Sequence, residues 1–100
     1  MRAVLVLVVL ASGGPAFAQN VDAGQQIAQT WCANCHQIAA GTAPKNDQGP
    51  PSFPAIARMN TTTAAALAAF LSTPHGRMPD FSLSRQEIRD VSAYILSLKP

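Results

Sequence analysis

The residues best suited to chemistry lie at positions 31–36, which read Trp-Cys-Ala-Asn-Cys-His. Two thiols three positions apart can add to the two vinyl groups at one edge of a porphyrin. A histidine directly after the second thiol can then bind the iron. Cys32 and Cys35 are also the only cysteines in the chain. The spacing therefore predicts that one haem is attached through Cys32 and Cys35, with His36 as the proximal iron ligand.

Two other kinds of site use the same cysteine spacing. A thioredoxin-like redox pair expects a βαβ pattern nearby, and the sequence shows no alternating strand pattern. A structural zinc ion needs four ligands, usually from a second Cys/His pair. The other histidine, His75, has no such partner beside it. Haem attachment is therefore favoured over both alternatives.

The opposite face of a haem iron has three candidate ligands in this chain, Met78, Met59 and His75. Met78 precedes Pro79 in a stretch without helical periodicity, and a loop stiffened by proline can hold a thioether over the haem. Met59 lies at a predicted helix end, where core packing is the ordinary role of methionine. His75 belongs to the same loop as Met78 and could take its place. Loop placement favours Met78.

A stretch rich in glycine and proline, from Ala39 to Pro54, predicts a long irregular loop folded over one haem edge. Within it, Gly49-Pro50 offers a prolyl carbonyl that could accept the free N–H of the His36 imidazole. Such a bond orients an iron-bound histidine and raises its basicity. An ordinary turn explains the same residues equally well. Pro50 is thus a candidate for a role in holding the cofactor.

Helices must position these residues, and the first is predicted to run from a cap at Asn20 or Asp22 into the attachment stretch. Its apolar side chains recur at helical spacing, at Ala23, Ile27 and Trp31, with Gly24 and Ala28 beside them. Glycine inside a helix costs about 1 kcal/mol relative to alanine. Gly24 therefore indicates that another helix approaches closely at this point.

Three further helices are predicted downstream. A short one covers Ala55 to Met59, and a second covers Ala64 to Leu71 and ends at Pro74. The last begins at a capping box formed by Ser84 and Glu87. Its apolar residues follow helical spacing and are Ile88, Val91, Ile95 and Leu98, with Tyr94 one turn beyond Val91.

The N-terminal segment has the pattern of a secretory signal. Arg2 is followed by an apolar run from Ala3 to Leu10, which is short for a membrane span, and then by the small-residue site at positions 16–18. We expect cleavage after Ala18, which leaves residues 19–100 as one domain; an uncleaved anchor is the alternative. The formal net charge is only +2 and no basic block occurs, so neither nucleic acid nor anionic lipid is indicated as a partner.

From residue 19 to residue 100 the chain resembles the small class I bacterial cytochromes c. The motifs that carry this resemblance, in chain order, are Gly24, Cys32-Ala-Asn-Cys35-His36, Gly49-Pro50, Met78-Pro79 and the last helix with Tyr94. The resemblance implies an all-α fold of three to five helices around one covalent haem c. It also implies that Gly24 meets Tyr94 where the first and last helices cross, and that His36 and Met78 are the axial ligands. One departure is Ala28, where the family often has an aromatic residue that Trp31 could replace, unless the crossing is looser.

The function implied by this resemblance is single-electron transfer in the periplasm, because covalent haem attachment takes place outside the bacterial cytoplasm. Such a protein is not itself an enzyme, exchanges electrons with redox partner proteins and has no stable membrane insertion once its signal is removed. Two alternatives remain open at this point. One is a fixed haem subunit of a larger periplasmic dehydrogenase or oxidase. The other is a ligand-binding haem protein with a labile distal site.

Overall fold

The fold is described by a computed structural model that covers residues 4, 6–8, 19–43, 49–73 and 76–100. Nearly all of the predicted signal peptide lies outside these described residues, as does His75. Within them, no helix has both the length and the apolar character needed to cross a membrane.

The described residues form helices and no strand, which confirms the all-α prediction. Helix α1 spans Val21–Ile27 and continues as a π-helical turn over Ala28–Cys32. Helices α2, α3 and α4 span Phe53–Arg58, Ala64–Ser72 and Arg85–Ser97.

Side-chain caps determine where these helices begin. The Asn20 side chain accepts the N–H of Ala23 at 3.0 Å, and Ser84 forms the predicted reciprocal capping box with Glu87. Helix α2 begins two residues earlier than predicted, because Ser52 caps it and a proline is tolerated in the first turn of a helix.

The first and last helices cross closely, as predicted, and α1 packs more extensively on α4 than on any other helix. Gly24 is buried at the crossing. A Cβ atom added there would overlap the backbone carbonyl of Asp90 and lie 2.9 Å from Tyr94 Cβ. Ala28 is fully buried one turn further along. The crossing is therefore not loosened by the small residue at position 28, and only a residue without a side chain fits at position 24.

The buried face of the first helix differs from the predicted one. Gly24, Ala28 and Cys32 form the buried row, whereas Trp31 is 46% exposed. The reason is the short distance between the helices, which admits only small side chains in the centre of the contact. Larger apolar side chains are displaced to its flanks, so Trp31 does not fill the space beside Ala28.

Long-range hydrogen bonds join the loops to this helix pair. The Tyr94 hydroxyl donates to the Ile38 carbonyl at 2.8 Å, within the core. The buried Asp90 carboxylate accepts the backbone N–H of Asn20 at 3.0 Å and the side-chain amide of Gln86 at 2.8 Å. The bonds from Tyr94 to Ile38 and from Asn20 to Asp90 tie both ends of the segment that contains the cysteines to α4, whereas the bond from Gln86 lies within α4.

Candidate functional site

The attachment stretch, residues 31–36, lies where the first helix ends. The Ala33 N–H donates to the Ala28 carbonyl at 2.8 Å, a five-residue spacing that gives the wider π-helical turn. The N–H groups of Cys35 and His36 then both donate to the Cys32 carbonyl, at 3.2 and 2.9 Å. The backbone thus folds back on Cys32, and the two cysteines lie within one turn of chain.

His36 is oriented by a backbone carbonyl. Its Nδ1 atom lies 2.7 Å from the Pro51 oxygen. A carbonyl can only accept, so Nδ1 carries the proton and donates it, and Nε2 retains its lone pair. This is the tautomer in which Nε2 can bind a metal ion, and a backbone carbonyl at the other ring nitrogen is a common partner of a metal-binding histidine.

The acceptor is therefore Pro51, and the prediction of Pro50 for this contact is wrong by one residue. A second hydrogen bond sets the register, because the Phe53 N–H donates to the Gln37 carbonyl at 2.8 Å. With Phe53 paired to the residue after His36, the carbonyl opposite the imidazole belongs to Pro51. The two consecutive prolines contain the correct acceptor, but nothing in their local sequence chooses between them.

Aromatic packing supports the imidazole as well. The rings of His36 and Phe53 have centroids 5.2 Å apart, and those of Phe53 and Tyr94 are 6.4 Å apart. Phe53 and Tyr94 are both buried. His36 is thus held by a carbonyl at Nδ1 and by a ring anchored in the core, so its Nε2 has a defined direction. Phe53 was not predicted as a site residue, and only its aromatic character could have suggested it.

The two cysteines are free thiols in different environments. Cys32 is buried and Cys35 is partly exposed. Burial raises the pKa of the Cys32 thiol to about 11, so this thiol stays protonated at neutral pH. A redox-active pair relies on an accessible thiolate of lowered pKa. In addition, no three His, Cys, Asp or Glu side chains come together among the described residues, which leaves a zinc ion without enough ligands there.

Met78 is half-buried and lines a small cavity near the end of α3. The other lining residues are Phe70, Leu71, Thr73, Pro79, Asp80, Phe81 and Leu83. Neither His36 nor the cysteines line this cavity. Phe81 also lines an adjoining open groove of about 290 Å³, together with Trp31, Ala33 and Asn34 of the attachment stretch. Through Phe81, the loop over residues 76–83, called the Met78 loop below, reaches the helical turn that ends at Cys32.

Of the other two candidate ligands, only Met59 lies in the described part of the chain. Its side chain is 47% exposed, so the predicted core-packing role is wrong. Met59 is the C-cap of α2, and its backbone adopts an extended conformation. The chain therefore changes direction at Met59, and its side chain does not continue the buried face of the helix. His75 stays a prediction.

Residues 19–95 match the family model described as "Cytochrome C oxidase, cbb3-type, subunit III". The chain belongs to the c-type cytochromes. It is also 44% identical over 96 residues to "Cytochrome c-552" of Bradyrhizobium diazoefficiens, an alignment that covers 96% of this chain and 91% of the relative. No solved structure matched the chain. The cytochrome thus has a covalently bound haem c with iron as its cofactor and transfers electrons with redox partners.

The residues of the attachment stretch fit this cofactor. Cys32 and Cys35 are unpaired thiols at the spacing that a porphyrin edge needs. The carbonyl of Pro51 holds the His36 proton at Nδ1 and leaves Nε2 free to bind iron. These residues would therefore supply two thioether links and one axial nitrogen ligand.

Proposed function

We propose that this cytochrome is a periplasmic single-electron carrier in which Cys32 and Cys35 attach the haem and His36 and Met78 ligate its iron. The observation that carries the proposal is the 2.7 Å hydrogen bond from His36 Nδ1 to the Pro51 carbonyl. That bond prepares the imidazole to act as a permanent ligand, since it holds both the tautomer and the ring direction before any metal is bound.

When bound, haem c supplies one-electron chemistry at its iron. The protein residues then determine how easily the electron is gained and lost. Through its hydrogen bond the Pro51 carbonyl would make His36 a stronger donor to the iron, and a thioether from Met78 would favour the ferrous state and raise the potential. With His36 and Met78 bound to the iron in both oxidation states, little rearrangement would accompany electron transfer. Leu71 lines the cavity beside Met78 and Phe53 packs on His36, so both apolar side chains would help to exclude water from the iron and favour its less charged state.

Support for Met78 comes from its surroundings. It is half-buried, it is followed by Pro79, and the cavity that it lines contains the apolar side chains of Phe70, Leu71 and Leu83. A half-buried thioether that lines a largely apolar cavity suits an iron ligand. Met59, with its side chain at the surface of α2, has no comparable environment.

Mutation of the attachment residues tests the first part of the proposal. We expect haem to remain with the wild-type polypeptide after denaturation and acid-acetone extraction, and Cys32→Ala or Cys35→Ala to weaken that retention. Ser97→Ala, which removes one hydroxyl from the last turn of α4 and leaves residues 31–36 unchanged, should retain haem fully. Free extraction of haem from the wild-type protein would overturn the attachment assignment.

Mutation of Met78 tests the second part. In ferric Met78→Ala we expect loss of the thioether-to-iron absorption band, a lower potential and rapid binding of cyanide, with rapid carbon monoxide binding in the ferrous state. Met59→Ala is the matched control and should leave all of these unchanged. If Met59→Ala loses the band while Met78→Ala keeps it, the ligand assignment is wrong. A wild-type protein that binds carbon monoxide rapidly would instead favour the ligand-binding alternative.

The proposed location depends on the N-terminal pattern that ends at Ala18. The family match begins at residue 19, directly after the proposed cleavage site. Sequencing of the protein recovered from the periplasm should therefore begin at Gln19. Intact Met1 in washed membranes would show that the segment is an anchor.

A second candidate function is that of a fixed subunit in a larger oxidase. It is favoured by the description of the matching family, which names a subunit of a cbb3-type oxidase. Gentle extraction of cells followed by size separation distinguishes the two. If the protein is a free carrier, all of its haem-stained polypeptide should elute at the size of a small protein. If it is a subunit, that polypeptide should elute together with a large complex.

A further inference from the structure

We infer that Trp31 and Phe81 are positioning residues that hold the Met78 loop against the helical turn Ala28–Cys32, which contains the first attachment cysteine. This inference depends on the proposed function, since it assigns the two rings a role in keeping Met78 on the iron. Trp31 directly precedes the first attachment cysteine, and Phe81 is the third residue after Met78. Their ring centroids are 5.4 Å apart, with an interplanar angle of 37°.

This contact joins the two halves of the proposed site. The same Phe81 side chain lines the cavity around Met78 and the groove beside Trp31, Ala33 and Asn34. Because the Phe81 ring contacts both spaces, it holds the Met78 loop at a set position relative to the helical turn Ala28–Cys32. The cysteines would determine where the porphyrin edge lies, so a loop held against the turn that contains Cys32 would keep Met78 within reach of the iron.

The local backbone of the loop directs Phe81 toward Trp31. The Asp80 carboxylate accepts the N–H of Ser82 at 2.8 Å, which closes a tight turn around Phe81. Ser82 adopts a left-handed conformation with φ of +52°, and it is the only described residue other than glycine with a positive φ. Backbone strain of this kind persists where surrounding contacts impose it, and it concentrates at functional sites. The aromatic contact is the long-range interaction that this turn makes possible.

Trp31 is not needed for the helix crossing, since Gly24, Ala28 and Cys32 form the buried row there. A tryptophan that remains 46% exposed contributes little to the core. Its position is explained by Phe81, because packing of two aromatic rings stabilises a contact beyond the area buried. The loss of either ring should thus leave the helix pair intact and free the loop that carries Met78.

The binding of cyanide to the ferric, haem-loaded protein measures this freedom, because cyanide binds only when Met78 leaves the iron. We expect Trp31→Ala and Phe81→Ala each to raise the binding rate about two- to thirteenfold, the factor that corresponds to the stabilisation contributed by an aromatic pair. The thioether-to-iron band should still be present in both variants at neutral pH, which shows that Met78 remains the ligand while it leaves the iron more often. Met59→Ala, which removes a side chain of similar exposure outside the loop, should match the wild type.

A double-mutant cycle separates a direct contact from two independent effects. If the rings act through each other, the Trp31→Ala/Phe81→Ala protein should bind cyanide no faster than the faster single variant. Trp31→Phe, which keeps an aromatic partner, should restore a rate close to that of the wild type. If Trp31→Ala loads haem poorly, Phe81→Ala still tests the inference, because it leaves the attachment stretch intact.

Each outcome has a distinct meaning. The positioning role would be overturned if Phe81→Ala bound cyanide at the wild-type rate. It would also be overturned if the increases in the two single variants multiplied in the double variant. In both cases, a thioether-to-iron band in the wild type would still support Met78 as the ligand. A wild-type ferric protein that lacks the band and binds cyanide as fast as Met78→Ala would overturn the proposed ligation, and the inference with it.

Discussion

Replacement of Gly24 by alanine places two physical effects in opposition. Helix propensity alone predicts that alanine stabilises α1 by about 1 kcal/mol. The packing predicts the reverse, because the added methyl group would overlap the Asp90 carbonyl and lie 2.9 Å from Tyr94 Cβ. Non-bonded carbon atoms prefer separations of about 3.5–4.0 Å. The sign of the measured change therefore decides which effect dominates.

The magnitude follows from what the methyl group would meet. A carbonyl in the middle of α4 cannot rotate aside as a side chain could, so the two helices must separate. Overpacking costs about 1–3 kcal/mol, and overlap with backbone places this case near the upper value. After the gain in propensity, we expect Gly24→Ala to lose about 2 kcal/mol of unfolding free energy. Gly24→Val should lose more, because its β-branch adds a second group at the same point.

Thermal unfolding of the haem-loaded protein is the assay. A loss of about 2 kcal/mol in a domain of this size lowers Tm by about 8–16 °C. Gln25→Ala is the control, since residue 25 is exposed on the same helix and the change should alter the free energy by only a few tenths of a kcal/mol. A Gly24→Ala protein that melts at or above the wild-type temperature would refute the close crossing.

Further predictions concern α4. Tyr94→Phe removes the donor to the buried Ile38 carbonyl, and we expect it to cost about 1–3 kcal/mol in chemical unfolding; an unchanged midpoint would contradict the hydrogen bond. Burial raises the pKa of Tyr94 in the folded protein, so its stabilising contribution is complete below pH about 10 and falls as the pH rises through the folded pKa. The absorbance of the chain's single tyrosine should then titrate late, and Tyr94→Phe should lose less stability at high pH than the wild type. Ser84→Ala removes the N-cap and should cost about 1 kcal/mol, whereas Ser84→Asp should retain most of the stability.

Local patterns in the sequence were sufficient for the cofactor and for most helices. The thiol spacing at Cys32 and Cys35, followed by His36, predicted a haem c protein because the spacing is dictated by the porphyrin. Helix α4 was predicted by its capping box and its apolar period, since both signals operate between residues three or four apart. Gly24 predicted the close crossing, because a glycine inside a helix needs a compensating contact.

The tertiary structure decided features that depend on residues distant in the sequence. Pro51 rather than Pro50 meets His36, because the hydrogen bond between Phe53 and Gln37 sets the register of the loop. The side chain of Met59 reaches solvent because the chain turns at the end of α2. The helical period placed Trp31 on the apolar face of the first helix. It could not indicate that small residues would occupy the helix interface, or that Trp31 would pack on Phe81 instead. In each case a periodic or local signal identifies the kind of residue, whereas the direction of a carbonyl or side chain is determined only when separate segments pack together.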